Sequence, residues 1–171
     1  GSYPRIFRGI FIAAGRETDL LVRAGAALRI APPGSVVAHH TAATLWGLWL
    51  PDDPRVHVAV PAGGRRATRP GLVTHRLRPS ATNHRVHGLP TTAPLECLLS
   101  LARELSLVDT VALIDSAYAA DLLTPTAVHE FAHGLDIPGA GALRRAAALS
   151  RPGSRSRRES ALRLLFHFGG Y

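Results

Sequence analysis

Residues 65–69, Arg65-Arg66-Ala67-Thr68-Arg69, put three guanidiniums into one short stretch beside Gly63-Gly64. A guanidinium is planar, permanently charged and forked, so it can donate to two phosphate oxygens at once. A Gly-flanked basic hairpin between two strands can therefore follow a phosphate backbone; it can equally be a solvated hairpin tip. Arg76 and Arg78 come next, two residues apart and so on one face of a strand. Arg155, Arg157 and Arg158 form another basic run, readable as a phosphate-binding tether or as a soluble linker. The candidate DNA phosphate contacts are therefore Arg65, Arg66, Arg69, Arg76, Arg78, Arg155, Arg157 and Arg158.

Other chemistry finds little support. There is no paired Cys, no HExxH and no EF-hand loop. His39 and His40 are adjacent, so in a strand they point to opposite faces and do not grip one ion together. His129 and His133 are four apart on one helical face, a metal-compatible spacing that also describes an ordinary half-exposed face beside Glu130. Gly63-Gly64-Arg65-Arg66 lacks the Lys-Ser/Thr ending of a phosphate loop, and there is no GxSxG elbow. The single cysteine, Cys97, sits in an apolar run and reads as core; it cannot form an internal disulfide, which fits a reducing compartment. We expect no catalytic residue, no metal and no cofactor, and read the chain as non-enzymatic.

Charge supports a polyanion partner. All 20 basic residues are Arg, which with abundant Ala, Gly and Pro suggests a GC-rich bacterial genome and makes part of the Arg count codon bias. The distribution says more: residues 1–90 hold 12 Arg and 4 acids, residues 91–150 hold 3 and 7, and residues 151–171 hold 5 and 1. Segregated charge of this kind favours a surface facing nucleic acid. No apolar run approaches the roughly 20 residues of a membrane span, so the expected location is the cytoplasm. Gly1-Ser2 reads as a cloning scar.

The elements that must position these residues follow from periodicity. Arg5 to Ile12 reads as a strand interrupted at Arg8-Gly9. Thr18 or Asp19 caps a helix to Ile30. Residues 36–38 form a short strand and residues 41–48 a buried apolar helix with Trp46 inside. Arg55-Val56-His57-Val58-Ala59-Val60 alternates with period two, its even positions facing the core. Strands follow at residues 72–77 and 82–86. Helices are expected at about 92–104, 107–120, 125–134, 141–149 and 159–168, with Pro94 and Pro125 in first turns. The fold class is α+β: an N-terminal strand and helix plus an antiparallel β-meander, followed by a C-terminal helical bundle. The expected division is residues 1–90, 91–150 and 151–171.

Several motifs, in this order, resemble AbiEi-family antitoxins and their actinobacterial relatives: Arg5 to Ile12 as a wing strand, Ser35 to Leu48 (SVVAHHTAATLWGL), Arg55 to Pro61 (RVHVAVP), Gly88 to Arg103 (GLPTTAPLECLLSLAR), Asp115 in LIDSAY, and Leu123-Thr124-Pro125. The resemblance implies a type IV toxin–antitoxin regulator with DNA or a toxin as partner. Many such proteins continue into a domain similar to very-short-patch-repair endonucleases, and residues 159–165 resemble its first helix, where a Glu often helps hold metal. The winged-helix segments usually found before the wing strand are absent here, and the family's Arg and Asp positions are Glu96 and Ser100. The leading expectation is a non-catalytic DNA-associated regulator. One alternative is the DNA-contacting front part of a metal-dependent endonuclease; the other is a protein-interaction domain.

Overall fold

The computed structural model describes residues 4–13, 15, 17–67 and 69–170. Gly1-Ser2, Thr68 of the basic stretch and Tyr171 lie outside the described residues. The elements are β1 (Arg5–Phe7), β2 (Ile10–Phe11), α1 (Leu20–Ile30), β3 (Val36–Val37), α2 (His39–Leu45), β4 (Val56–Val60), β5 (Leu72–Arg76), β6 (Asn83–Val86), β7 (Leu89–Thr92), α3 (Pro94–Leu101), α4 (Leu107–Ala119), α5 (Pro125–His133), α6 (Ala140–Leu149) and α7 (Arg157–Gly169). The α+β class is the observed one. Two compact units share the chain: Gly1–Leu45 with Asp53–Ala93, and Trp46–Asp52 with Pro94–Tyr171.

The first unit is built on a five-stranded sheet in the order β5-β4-β3-β7-β6. The sheet is mixed, not an antiparallel meander. β3 pairs antiparallel with β4 and β6 antiparallel with β7, but β4 and β5 run parallel, as do β3 and β7. Alternation reveals which face a side chain takes and says nothing about strand direction. β4 is buried at all five positions, because α1 and α2 both pack on it. Its odd positions, His57 and Ala59, are thus as enclosed as its valines. The N-terminal run is a separate two-stranded ribbon of β1 and β2, turned at Arg8-Gly9, where Gly9 takes φ +86°.

β7 was not anticipated. A two-residue turn at His87 and Gly88, both with positive φ, folds β6 back onto β7 in the manner of a type I′ hairpin. Pro90 cannot donate to a ladder and so masks the strand, and the helix expected from about residue 92 overlaps its end. α3 consequently starts at Pro94. α2 starts at His39 and ends at Leu45, so His39 and His40 lie in a helix, not a strand, and Trp46 is half-buried after it.

The second unit packs α4 against α6 and α7, and α5 against α6. α4 is the central helix: every residue from Thr110 to Tyr118 is buried, the pattern of a helix covered all round. Local signals set most ends. Ser106 Oγ accepts from Asp109 N at 3.1 Å, Thr124 Oγ1 from Ala127 N at 3.2 Å and Ser156 Oγ from Glu159 N at 3.2 Å. α7 buries Ser160 and Leu164 yet exposes Leu162, Leu165, Phe166 and Phe168. Cys97 is fully buried.

Candidate nucleic-acid interface and a buried histidine cluster

The basic stretch is not a hairpin tip. Because β4 and β5 are parallel, residues 61–71 must travel back along the sheet to begin β5 beside the start of β4. This crossover loop is held by arginines expected to be phosphate ligands. Arg76 Nη1 donates to Pro61 O at 2.7 Å and Gly64 O at 2.9 Å, and Arg69 Nη1 donates to Arg8 O at 2.9 Å. Those two side chains shape the loop from below and from the β1–β2 turn. Arg65 and Arg66 are exposed. Beside the loop lies an open groove of about 650 Å³, lined by Arg55, Arg66, Arg69, Leu72 and Thr74 among others.

Arg78 donates to Ser80 Oγ. The remaining candidates belong to the second unit. Arg155 and Arg158 are exposed, while Arg157 is committed to Asp109, with Nη2 at 2.6 Å and Nε at 3.0 Å from Oδ1. Glu159, the residue matched to a metal-holding position by resemblance, accepts from the Arg155 backbone N–H at 2.7 Å beside the start of α7.

A site that sequence reasoning missed lies in the first unit. His39, His57 and His75 converge, with one ring nitrogen from each lying within 4.8 Å of the others. β4 and β5 supply two of the rings: in the parallel register His75 sits opposite Ala59, two residues from His57 on the same face. His57 Nδ1 and His75 Nε2 are 2.9 Å apart. The third ring comes from the first residue of α2, whose backbone is in the left-handed region at φ +56°, a conformation that costs a non-glycine residue about 1 kcal/mol or more. His39 stacks on His75 with ring centroids 4.2 Å apart and on His57 at 4.9 Å.

The β3–α2 junction holds His57 at its backbone. Ala38 N donates to His57 O at 3.1 Å, and His57 N donates to Thr41 Oγ1 at 2.8 Å. Thr41→Val keeps the shape and orphans a buried N–H, so it should cost about 1–3 kcal/mol; amide exchange at His57 checks this, and unchanged protection would refute it. At the other end of the ring, His57 Nε2 faces Asp53 Oδ2 at 3.2 Å. Asp53 is gripped by Arg55, with Nη2 at 2.6 Å from Oδ2 and Nε at 2.9 Å from Oδ1. That hydrogen bonding holds the Asp53 carboxyl well below the usual carboxylate range. Burial, reinforced by the neighbouring His57 and His40, pushes His39 down to about 3. Burial also lowers His57, outweighing the opposing pull of Asp53. Both rings are neutral near pH 7.

A mixed five-stranded sheet with two covering helices in one unit, and a five-helix unit around a buried central helix, define an α+β protein with an arginine-lined groove. Residues 35–150 match the family model of the AbiEi antitoxin C-terminal domain. The chain belongs to the AbiEi antitoxin family. Its fold is similar to that of the RV2827C protein from Mycobacterium tuberculosis, seen in a crystal structure, with TM-score 0.52 and 16% identity over 95% of this chain. The chain spans 64% of that protein's length. The sequence matches none of the curated proteins compared with it. No helix among the described residues is long and apolar enough to cross a membrane.

Proposed function

We propose that this chain is the DNA-associated, non-catalytic part of an AbiEi-type antitoxin that acts as a regulator. The observation that carries this reading is the groove beside the crossover loop, where Arg55, Arg66 and Arg69 line one open surface and Arg65 projects nearby. Forked, permanently charged donors on an open groove suit phosphate oxygens, and contacts of this kind position a protein on DNA without reading its sequence. Arg76 serves the same surface indirectly by fixing the loop that presents Arg65 and Arg66. Arg155 and Arg158 are further proposed phosphate contacts. The exposed apolar side chains of α7 support the other half of the reading, a protein partner such as a cognate toxin.

Fluorescence anisotropy with duplex DNA at two salt concentrations tests this. Arg65→Ala/Arg66→Ala leaves the bracing contacts of Arg69 and Arg76 in place. It should weaken binding tenfold or more at low salt and reduce the slope of log affinity against log salt by about 2, the value for two lost phosphate contacts. Absence of binding by the parent chain at low salt, or a double variant with the parent's slope, would overturn the reading.

A further inference from the structure

We propose that His39, His57 and His75 form a three-imidazole site for a zinc-class divalent cation, with Asp53 as the positioning residue for the His57 ring. Three neutral nitrogen ligands with a fourth position left to water are a set that zinc, cobalt and nickel accept. The ligand nitrogens lie within 4.8 Å of one another, and His57 Nδ1 and His75 Nε2 are 2.9 Å apart. Metal–nitrogen bonds of about 2.0–2.1 Å in tetrahedral geometry require nitrogens about 3.3 Å apart, so a separation at the 4.8 Å limit closes by about 1.5 Å on binding. Because the His39 ring is stacked nearly parallel on His57 and His75, it must turn edge-on for its in-plane lone pair to share an ion with theirs. His75 is half-buried on the edge strand β5, so it is also the side from which an ion enters.

The hydrogen-bond pattern already fits. When His57 carries its proton on Nε2, 3.2 Å from Asp53 Oδ2, the lone pair on its Nδ1 faces His75 Nε2 at 2.9 Å. This is the carboxylate–histidine arrangement that orients metal-binding imidazoles. Without a cation, His75 donates Nε2–H to that lone pair. With one, His75 carries its proton on Nδ1 and turns Nε2 to the metal. The strained backbone at His39 is a second, independent mark, because residues held in such conformations cluster where side-chain placement matters to function. Nothing in this inference rests on DNA binding, and the two readings fail in different experiments.

The test is titration of the tag-free full chain with Zn(II) by calorimetry and with Co(II) by visible spectroscopy. We expect one equivalent to bind and Co(II) to give the intense visible bands of four-coordinate nitrogen ligation. His75→Gln, at a half-exposed edge position, should abolish the site, and Asp53→Asn should weaken it by about 10–100-fold. Far-UV circular dichroism establishes that each variant folds. A pale six-coordinate Co(II) spectrum from the parent chain would overturn the proposal whether or not the variants fold. So would equal Zn(II) affinity in parent and folded His75→Gln, which would place the ion at surface histidines such as His129 and His133.

Discussion

Asp115→Ala lowers the stability of the helical unit by about 3–5 kcal/mol. The Asp115 carboxylate is completely buried in α4 and gathers four donors from downstream. Arg151 N reaches Oδ1 at 2.8 Å; Ser154 Oγ, Ser160 Oγ and Arg163 Nη2 reach Oδ2 at 3.1, 2.7 and 2.6 Å. Alanine leaves a cavity, two buried hydroxyls without their acceptor and a guanidinium without its counter-ion. Removing one partner of a buried charge pair costs far more than the pair contributes, because the remaining charge stays desolvated. Asp115→Asn should recover only part of the loss, since an amide presents two donors to groups that are themselves donors. The chain's two tryptophans, Trp46 and Trp49, both belong to this unit, and Trp49 N donates to Ser116 Oγ at 3.0 Å. Urea unfolding followed by tryptophan fluorescence therefore reads the right unit. A loss below about 1 kcal/mol would contradict the buried-charge account.

The second large effect is steric. Gly139 caps the start of α6 at φ +98°, a conformation side chains rarely adopt. A Cβ placed there would lie 2.7 Å from Arg103 Cγ and 3.0 Å from Leu99 O, and the carbonyl belongs to the backbone of α3. Backbone strain of about 1–3 kcal/mol adds to overpacking of similar size, so Gly139→Ala should cost about 2–5 kcal/mol. Gly141→Ala is the control. It lies two residues on, inside α6, where the nearest atom to a Cβ is Arg144 Nη2 at 3.9 Å. Replacing an unstrained helical glycine should stabilise by about 0.5–1 kcal/mol. Equal effects at the two positions would contradict this explanation.

What could be read from the sequence was what local chemistry decides. The Asp19 cap of α1, the Thr124-Pro125 start of α5 and its stop at Gly134 are interactions within three or four residues, and each stands where expected. The even positions of β4 were legible as core for the same reason. What depends on pairing was not. The valines of β4 cannot announce that β5 runs parallel, and this one fact turns an expected hairpin into a crossover loop and gives Arg76 a bracing role in it. The histidine cluster was hidden in the same way. His57 and His75 share a face only in the observed register, and His39 joins them only because α2 begins two residues earlier than the apolar pattern suggested, in a backbone conformation no spacing rule demands.

The position of Asp115 also has a consequence for the order in which the chain matures on the ribosome. α4 is synthesised well before residues 151–163, yet its central carboxylate finds every donor described for it in that later segment. Until then the helix that organises the unit carries an uncompensated charge on the surface it must bury, so close packing around α4 is delayed. Packing around α4 is therefore complete only once Arg151, Ser154, Ser160 and Arg163 are available to the carboxylate.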